Sequence, residues 1–203
     1  MSPAQSYIYS NRVLYHVVMR LLYGPHFDTR YRALADAIPA GASVVDVCAG
    51  DCYLYLKYLR SKSVEYLGLD LSPQMVRWAQ QHGVTARHFD VWKDDLPAGD
   101  VVVMQASLYQ FLPRADAIVR KLLAAARRIV IISEPIRNVS ASSNPLLSIV
   151  GRRLTVPASA SPAYTGRRFD QQSLTELFHA FDSFERATIL PGGREMLGVF
   201  RAK

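Results

Sequence analysis

Two acidic residues, Asp46 and Asp70, stand near the ends of consecutive apolar runs. Asp46 is followed by a loop of small residues, 48–52, which leads into a helical pattern. Small residues let a ligand approach the backbone closely, and the first turn of a helix offers free N–H groups. Asp70 follows the loop by about 20 residues, where a carboxylate can hydrogen-bond the diol of a ribose. The two acids and the loop therefore predict a nucleotide-binding site.

Two further polar residues, Asp90 and Gln105, follow later apolar runs. Ligands of open parallel sheets bind beyond the carboxyl ends of the strands, so we expect these residues to lie near Asp46 and Asp70. Each acid also has a structural alternative. Asp46 could cap the turn after it, Asp70 could stabilise the N-terminus of the helix at Ser72, and Asp90 could close a turn. We prefer the binding interpretation for all three.

The elements that would position these residues alternate along the chain. Five stretches have the composition of strands: 43–47, 64–69, 84–89, 100–105 and 128–133. Helical periodicity runs between them over 51–60, 72–82 and 114–127. Strands that alternate with helices predict a parallel sheet with helices on both faces.

The two ends of the chain follow a different pattern. Helices are expected over 12–23 and 29–37, before the first strand, and over 170–180. The last two predicted strands, 183–190 and 194–201, flank a tight turn and must therefore be antiparallel. We predict an α/β fold, a doubly wound, mostly parallel seven-stranded sheet with a C-terminal antiparallel hairpin.

We expect residues 1–203 to form one domain with two additions. Residues 1–40 would form an N-terminal helical cap. Residues 136–168 interrupt the alternation and are rich in Ser, Pro and Ala, with one short helix expected over 145–154. Because a long irregular segment in a compact domain is usually functional or mobile, we interpret residues 136–168 as a lid over the substrate.

The composition limits the class of protein. The 203 residues are 50% hydrophobic and carry a net charge of +7, which fits one globular domain with anionic partners. Residues 135–169 contain no acid but include Arg152 and Arg153, so this segment is either a solvated loop or an anion site. The sequence has no RNA-binding signature, and its five histidines lack metal-ligand spacing, so we expect neither nucleic acid nor metal.

The sequence also favours a cytoplasmic protein. Its two cysteines, Cys48 and Cys52, fit neither a disulfide framework nor a zinc pattern, which indicates a reducing compartment. No stretch approaches the roughly 18 consecutive apolar residues of a membrane span. The first residues lack the basic and apolar regions of a signal peptide.

Five segments carry a resemblance to a known family. They are DVCAGDC at 46–52, GLDLSPQM at 68–75, FD at 89–90, DVVV at 100–103 and ISEP at 132–135. In this order the sequence resembles the class I S-adenosylmethionine-dependent methyltransferases, in particular those that act on small molecules or lipids. The resemblance implies a Rossmann-like methyltransferase fold, S-adenosylmethionine as cofactor, and S-adenosylhomocysteine as product. The partner would be a small-molecule or lipid-like acceptor.

The resemblance also implies roles for individual residues. Asp46 would anchor the amino group of the cofactor's methionine part, and Asp70 would hold both ribose hydroxyls. Gly50 would let the backbone approach the cofactor, and Asp90 would accept from the adenine amino group. The other candidates would line the loop, the adenine or the sulfonium side: Cys48, Ala49, Leu71, Met75, Val91, Gln105 and Ala106.

Fewer residues are candidates for the acceptor side. Tyr109 falls where related enzymes present residues to the reacting methyl, so it is a candidate for catalysis and substrate binding, or else a core residue. His16 is the candidate general base, on a helix that in similar enzymes folds over cofactor and substrate. Tyr15 would wall the substrate cavity or pack within its helix. Arg152 and Arg153 would bind an anionic acceptor.

The loop departs from the family at two positions, where Cys48 and Cys52 replace glycine. Because cysteine is small and can follow ordinary backbone angles, we expect the loop to bind the cofactor nevertheless. Three other functions stay open. A nicotinamide-dependent oxidoreductase is disfavoured because residues 48–53 are not Gly-x-Gly-x-x-Gly. A non-enzymatic member of the fold is motivated by the two cysteines, and an RNA methyltransferase by the positive charge alone.

Overall fold

The computed structural model of the protein describes residues 12–136 and 167–202. Within these ranges seven strands form one sheet. They are β1 (Ser43–Val47), β2 (Glu65–Asp70), β3 (Ala86–His88), β4 (Gly99–Gln105), β5 (Ala126–Pro135), β6 (Phe184–Ile189) and β7 (Glu195–Arg201). Their order across the sheet is β3-β2-β1-β4-β5-β7-β6.

The direction of the strands confirms the predicted fold class. Strands β1 to β5 pair in parallel, whereas β7 pairs antiparallel with both β5 and β6. Six strands therefore share one direction and β7 opposes them. The chain winds outward from β1 to β3 and then returns to place β4 on the other side of β1. A ligand site is expected at this reversal, beyond the carboxyl ends of β1 and β4.

Helices cover both faces of the sheet. They are α1 (Arg12–Tyr23), α2 (Phe27–Ala37), a π-helical segment (Tyr55–Leu59), α3 (Pro73–Gln81), α4 (Ala115–Ala125) and α5 (Gln171–His179), with short 3₁₀ turns at Gly24–His26, Arg60–Lys62 and Leu108–Phe111. Helices α2 and α3 pack on one face, and α4 and α5 pack on the other. Among the described helices, none has the length and apolar character needed to cross a membrane.

Strand β4 shows why the sheet is buried on both sides. Val101 and Val103 pack with α2 and α3, whereas Val102 and Met104 pack with α4 and α5. All four side chains are fully buried. A central parallel strand between two layers of helices has no solvent-facing side, which explains its continuous apolar sequence.

Several elements differ from the predicted boundaries for local reasons. The helix expected from residue 51 begins only after Cys52, because Cys52 still has a left-handed backbone (φ 57°). The helix expected to reach residue 127 ends at Ala125, because Ala126 is already extended and begins β5. Strand β3 is limited to Ala86–His88, its pairing with β2. Residues 137–166, which include most of the predicted lid and its short helix over 145–154, lie outside the described residues.

Candidate functional site

The predicted nucleotide loop lies at the carboxyl edge of the sheet. It leaves β1 at Val47, whose neighbours in the sheet are Leu69 of β2 and Met104 of β4. The Ala49 N–H donates to the Leu69 carbonyl at 3.0 Å, which ties the loop to the end of β2. Cys48, Ala49 and Gly50 are all partly exposed. The edge therefore presents loop backbone to a ligand.

The loop alternates into the left-handed region three times, at Cys48 (φ 61°), Gly50 (φ 56°) and Cys52 (φ 57°). This corrects the expectation that the two cysteines follow ordinary backbone angles. Their φ values are those at which glycine is favoured and other residues are strained. The loop thus keeps a conformation suited to glycine although two of its three left-handed residues carry a side chain. A Cβ at Gly50 would meet no atom within 4 Å, so the space beside its backbone is open.

Neither cysteine is suited to thiol chemistry. Burial raises the pKa of the Cys48 and Cys52 thiols. A thiol with a raised pKa is protonated at neutral pH and is a poor nucleophile. Both residues are therefore packing residues of the loop.

The Cys52 side chain fills a space that Gly68 of β2 leaves open. A Cβ at Gly68 would lie 2.4 Å from Cys52 Sγ. We expect Gly68→Ala to lower the free energy of unfolding by about 1–3 kcal/mol, through overpacking of this contact. The double variant Cys52→Gly/Gly68→Ala should lose less than the sum of the two single variants, which denaturant unfolding of all four proteins measures. Strict additivity would mean that the two residues do not compete for this space.

Asp70 lies beside the loop, at the end of β2. Its Oδ2 accepts from the Gly50 N–H at 2.7 Å and its Oδ1 accepts from the Ser72 N–H at 2.8 Å. Burial raises the pKa of this carboxyl, although the two N–H donors act in the opposite direction. A carboxylate offers about four lone-pair sites, so each oxygen keeps capacity for one more donor. Asp70 thus fixes the loop and can still receive a diol.

Asp46 lies within β1 and is only 4% exposed. The Tyr66 hydroxyl donates to its Oδ2 at 2.7 Å. Burial raises the pKa of Asp46 to about 7, against the lowering effect of Tyr66, and the nearby Asp70 charge adds to the increase. A buried carboxyl of this kind is costly to ionise unless a cation is brought beside it.

The adenine-side candidates differ in how far they are buried. Met75 and Val91 are buried, whereas Leu71 is partly exposed beside Asp70. Asp90 closes a turn, because its Oδ1 accepts from the Trp92 N–H at 3.0 Å and its Oδ2 pairs with Lys93 Nζ at 3.0 Å. Partial burial would raise the pKa of Asp90, but Lys93 and the Trp92 N–H outweigh it and lower the pKa. This turn accounts for the carboxylate without a ligand.

The loop after β4 lies at the same edge of the sheet as Asp70, on the other side of β1. Gln105 and Ala106 are partly exposed, and Ala106 is left-handed (φ 50°). The Gln105 Nε2 atom is buried and has no hydrogen-bond partner among the described residues. The Ala106 N–H donates to the Ser133 carbonyl at 2.7 Å. A buried donor of this kind at the rim of the site is suited to a polar group of a ligand.

Sequence reasoning missed Glu134, the acid at the end of β5. It is fully buried, and its carboxylate accepts from the backbone N–H groups of Leu108 (2.9 Å) and Tyr109 (3.3 Å). Burial raises the pKa of Glu134 to about 8, against the lowering effects of these N–H groups and of the Arg168 guanidinium. Its position at the end of an apolar strand is the signal that had marked Asp46 and Asp70.

The two catalytic candidates pack against residues on different faces of the sheet. Tyr109 is 3% exposed, packs in the core with α4 and α5, and carries the Arg168 guanidinium 3.5 Å above its ring. His16 lies on α1, with its Nε2 atom 2.7 Å from Asp51 Oδ2. The ring of His16 also contacts Tyr53, with ring centroids 4.9 Å apart.

Helix α1 is joined to the nucleotide loop by further polar contacts. Arg20 donates to the Tyr53 hydroxyl at 3.2 Å, and Tyr53 in turn donates to Asp28 at 3.0 Å. Together with His16 and Asp51, these contacts hold α1 against the start of the helical segment after the loop. Tyr15 lies on the same helix. Arg152 and Arg153 lie outside the described residues.

The residues at this edge fit an adenosyl cofactor. Asp70 has capacity for a ribose diol, the backbone at Gly50 is open, and Asp46 is an acid that a cationic amino group would ionise. The unpartnered Gln105 donor lies on the far side of β1 from Asp70. Asp70, the open loop and Gln105 lie at the ends of the neighbouring strands β2, β1 and β4, where the strand order reverses. A ligand that extends across these three strand ends could contact all of them.

Comparison with a family model extends this agreement to the sequence. The model described as methionine biosynthesis protein MetW matches residues 28–138. That range begins in α2 and contains the nucleotide loop, Asp70, Gln105 and Glu134. No curated protein matches the chain.

Solved structures of S-adenosylmethionine-dependent methyltransferases share the fold. Magnesium protoporphyrin IX methyltransferase from Synechocystis PCC 6803, with bound S-adenosylhomocysteine, is 17% identical over 95% of this chain and 88% of its own, with a TM-score of 0.65. A Thermotoga maritima enzyme is 13% identical over 98% and 99% (TM-score 0.68). A TehB-like enzyme from Corynebacterium glutamicum ATCC 13032 is 16% identical over 96% and 98% (TM-score 0.64). The predicted class I methyltransferase fold is confirmed.

Proposed function

The chain belongs to the MetW family, and from this membership and the class I methyltransferase fold we propose that it transfers a methyl group from S-adenosylmethionine to a small acceptor. One observation carries the proposal. The left-handed loop at Cys48, Gly50 and Cys52 lies against the Asp70 carboxylate, at the edge of the sheet where the strand order reverses. A loop and an acid in this arrangement are suited to a nucleotide and the diol of its ribose, which supports the proposal.

Each end of the proposed cofactor has residues suited to it. Asp70 would accept from the ribose hydroxyls, and Asp46 would pair with the amino group of the methionine part. Gln105 and Ala106 would lie beside the sulfonium. Leu71, Met75 and Val91 would border the adenine, while Cys48, Ala49 and Gly50 would supply backbone. Asp90 stays a candidate for the adenine amino group, in competition with its role in the turn.

The reaction would be an in-line displacement. S-adenosylmethionine supplies an activated methyl group on a sulfonium, and a nucleophile of the acceptor takes it and leaves S-adenosylhomocysteine. Alignment of the reacting groups and exclusion of water can contribute on the order of 7–11 kcal/mol to such a step. In this proposal Tyr109 lies nearest the methyl side. His16, oriented by Asp51, is the candidate for accepting a proton from the acceptor.

We propose that the acceptor is small, partly apolar and anionic. The protein carries a net charge of +7, and the acid-free segment 135–169 includes Arg168, whose guanidinium lies over the Tyr109 ring. Tyr15, Arg152 and Arg153 stay candidates for contacts with the acceptor. Residues 1–40 would act as the N-terminal cap, and α1 within it contacts the nucleotide loop at Asp51 and the helical segment after it at Tyr53.

The test uses S-adenosylmethionine labelled in its methyl group and a panel of small apolar carboxylates and phosphates with their neutral amides and alcohols. We expect label to pass to one or more anionic members with the wild-type protein and to none with Asp70→Ala. Transfer to neutral members in preference to their anionic partners would contradict the proposed acceptor class. Transfer that continues undiminished in Asp70→Ala would contradict the proposed site.

A second candidate function is cofactor binding without methyl transfer. The two left-handed cysteines favour it, because the loop carries side chains where glycine leaves the backbone bare. The description of the family also names a pathway, methionine biosynthesis, and no reaction. Binding of both adenosyl ligands with no transfer to any member of the panel would support this candidate over the enzyme.

A further inference from the structure

Strand β5 holds the loop after β4 at three backbone N–H groups. The Ser133 carbonyl accepts from Ala106 at 2.7 Å, and the Glu134 carboxylate accepts from Leu108 at 2.9 Å and from Tyr109 at 3.3 Å. The two Glu134 oxygens each take one N–H. A buried backbone N–H group that loses its acceptor costs free energy, so these contacts hold the loop in place.

The loop needs such support because Ala106 is left-handed (φ 50°). A residue with a Cβ keeps this backbone conformation only where the surrounding structure enforces it. Leu108 and Tyr109, whose N–H groups Glu134 receives, begin the short 3₁₀ turn that follows Ala106. Release of these two N–H groups would free the loop to relax toward an ordinary conformation.

Arg168 contacts the same loop through the ring of Tyr109. Its guanidinium lies 3.5 Å from the centroid of the Tyr109 ring, while Glu134 accepts from the Tyr109 backbone N–H. The guanidinium charge also favours the ionised form of Glu134. Tyr109 is therefore fixed at both its backbone and its ring, although Glu134 itself is fully buried and does not reach the surface.

We infer that Glu134 is a positioning residue, which shapes the Gln105–Tyr109 loop to receive the methionine and sulfonium end of the cofactor. The inference rests on the proposed function and deepens it. Asp70 lies at β2, on the adenosine side of β1, whereas the Gln105–Tyr109 loop lies at β4 on the other side. Glu134 should thus affect one end of the ligand and Asp70 the other.

Two ligands distinguish effects on the two ends of the cofactor site. S-adenosylhomocysteine occupies both, whereas adenosine lacks the amino acid part. We expect Glu134→Ala to raise the Kd of S-adenosylhomocysteine at least about tenfold, because the buried N–H groups of Leu108 and Tyr109 lose their acceptor. The Kd of adenosine should change less than about twofold, because distant sites that share no contacts act nearly independently. Glu134→Gln keeps one acceptor oxygen and should lie between Glu134→Ala and the wild type.

A double variant tests the positioning role itself. Glycine adopts the left-handed conformation without strain, so Ala106→Gly should remove part of the need for Glu134. Ala106→Gly/Glu134→Ala should therefore bind S-adenosylhomocysteine more tightly than Glu134→Ala alone. Glu195→Gln is the matched control, because Glu195 is a buried acid on the neighbouring strand that accepts from Ser133 Oγ at 2.5 Å and makes no bond to this loop.

The outcomes distinguish this inference from the proposed function. Amide hydrogen exchange at Leu108 and Tyr109 needs no ligand and should speed up in Glu134→Ala but not in Glu195→Gln. Unchanged exchange, or equal weakening of adenosine and S-adenosylhomocysteine, would overturn the positioning role. If the wild type binds neither ligand, the proposed function fails, while exchange still shows whether Glu134 holds the loop.

Discussion

The Asp70→Ala variant should bind S-adenosylmethionine and S-adenosylhomocysteine at least about a hundredfold more weakly than the wild type. The variant removes the proposed acceptor of two ribose hydroxyls. It also leaves the Gly50 and Ser72 N–H groups without the carboxylate that now receives them at 2.7 and 2.8 Å. Calorimetric titration of both proteins with each ligand measures the change. Adenosine should be weakened as strongly, because it carries the same ribose.

Asp100→Ala is the matched control for this variant. Asp100 also accepts a backbone N–H, from Ser43 at 3.0 Å, but it lies at the amino end of β4, on the opposite edge of the sheet from the site. Its loss should leave the affinity for the adenosyl ligands unchanged. Comparable affinity in Asp70→Ala and the wild type would contradict the assignment of Asp70.

The Asp46→Asn variant should be more stable than the wild type at pH 8 and yet bind S-adenosylmethionine more weakly. The pKa of Asp46 is raised to about 7 by burial. The folded protein therefore holds a proton that the unfolded chain loses near pH 4, and its stability falls as the pH rises across this window. Ionisation at pH 8 costs the folded state roughly 4 kcal/mol, at about 1.4 kcal/mol for each pH unit between the two pKa values.

Asparagine keeps an oxygen for the Tyr66 hydroxyl and has no charge to bury. Denaturant unfolding should show a gain of about 1–3 kcal/mol for Asp46→Asn at pH 8, which shrinks steadily toward pH 4, where the folded and unfolded states both hold the proton of Asp46. The affinity for S-adenosylmethionine at pH 8 should fall at least about tenfold, since the amino group loses its counter-charge. Adenosine, which has no such group, is the control ligand. A variant that is less stable at pH 8 would indicate a structural role for the carboxylate.

The raised pKa of Asp46 should also make ligand binding by the wild type depend on pH. Affinity for S-adenosylmethionine should decline as the pH falls through about 7, because a protonated Asp46 carries no charge for the amino group. Adenosine affinity should stay level over the same range. Titrations at pH 6 and pH 8 with both ligands make the comparison.

The fold and its principal acids could be predicted because their signals are local. Alternating periodicity gave the strands and helices, and the acids that end apolar strands mark the edge where the site lies. Ser72 and Asp170 cap α3 and α5 as their sequence positions indicate. Each of these features depends on residues within a few positions of one another.

Other features depend on contacts between distant segments. The left-handed angles of Cys48 and Cys52 follow from the path of the loop over the sheet, and the residue types alone predict the opposite. Glu134 accepts hydrogen bonds from N–H groups 25 and 26 residues away in the chain. Its role can therefore be recognised only once β4 and β5 are paired. The contact of His16 with Asp51, 35 residues apart, likewise needs the packing of α1.

The central claim is that this edge of the sheet binds the adenosyl cofactor, and titration of the wild-type protein with S-adenosylmethionine, S-adenosylhomocysteine and NAD tests it most directly. We expect both adenosyl ligands to bind, one molecule per chain, and NAD not to bind. Binding of NAD in place of the adenosyl ligands, or binding of none of the three, would contradict the account.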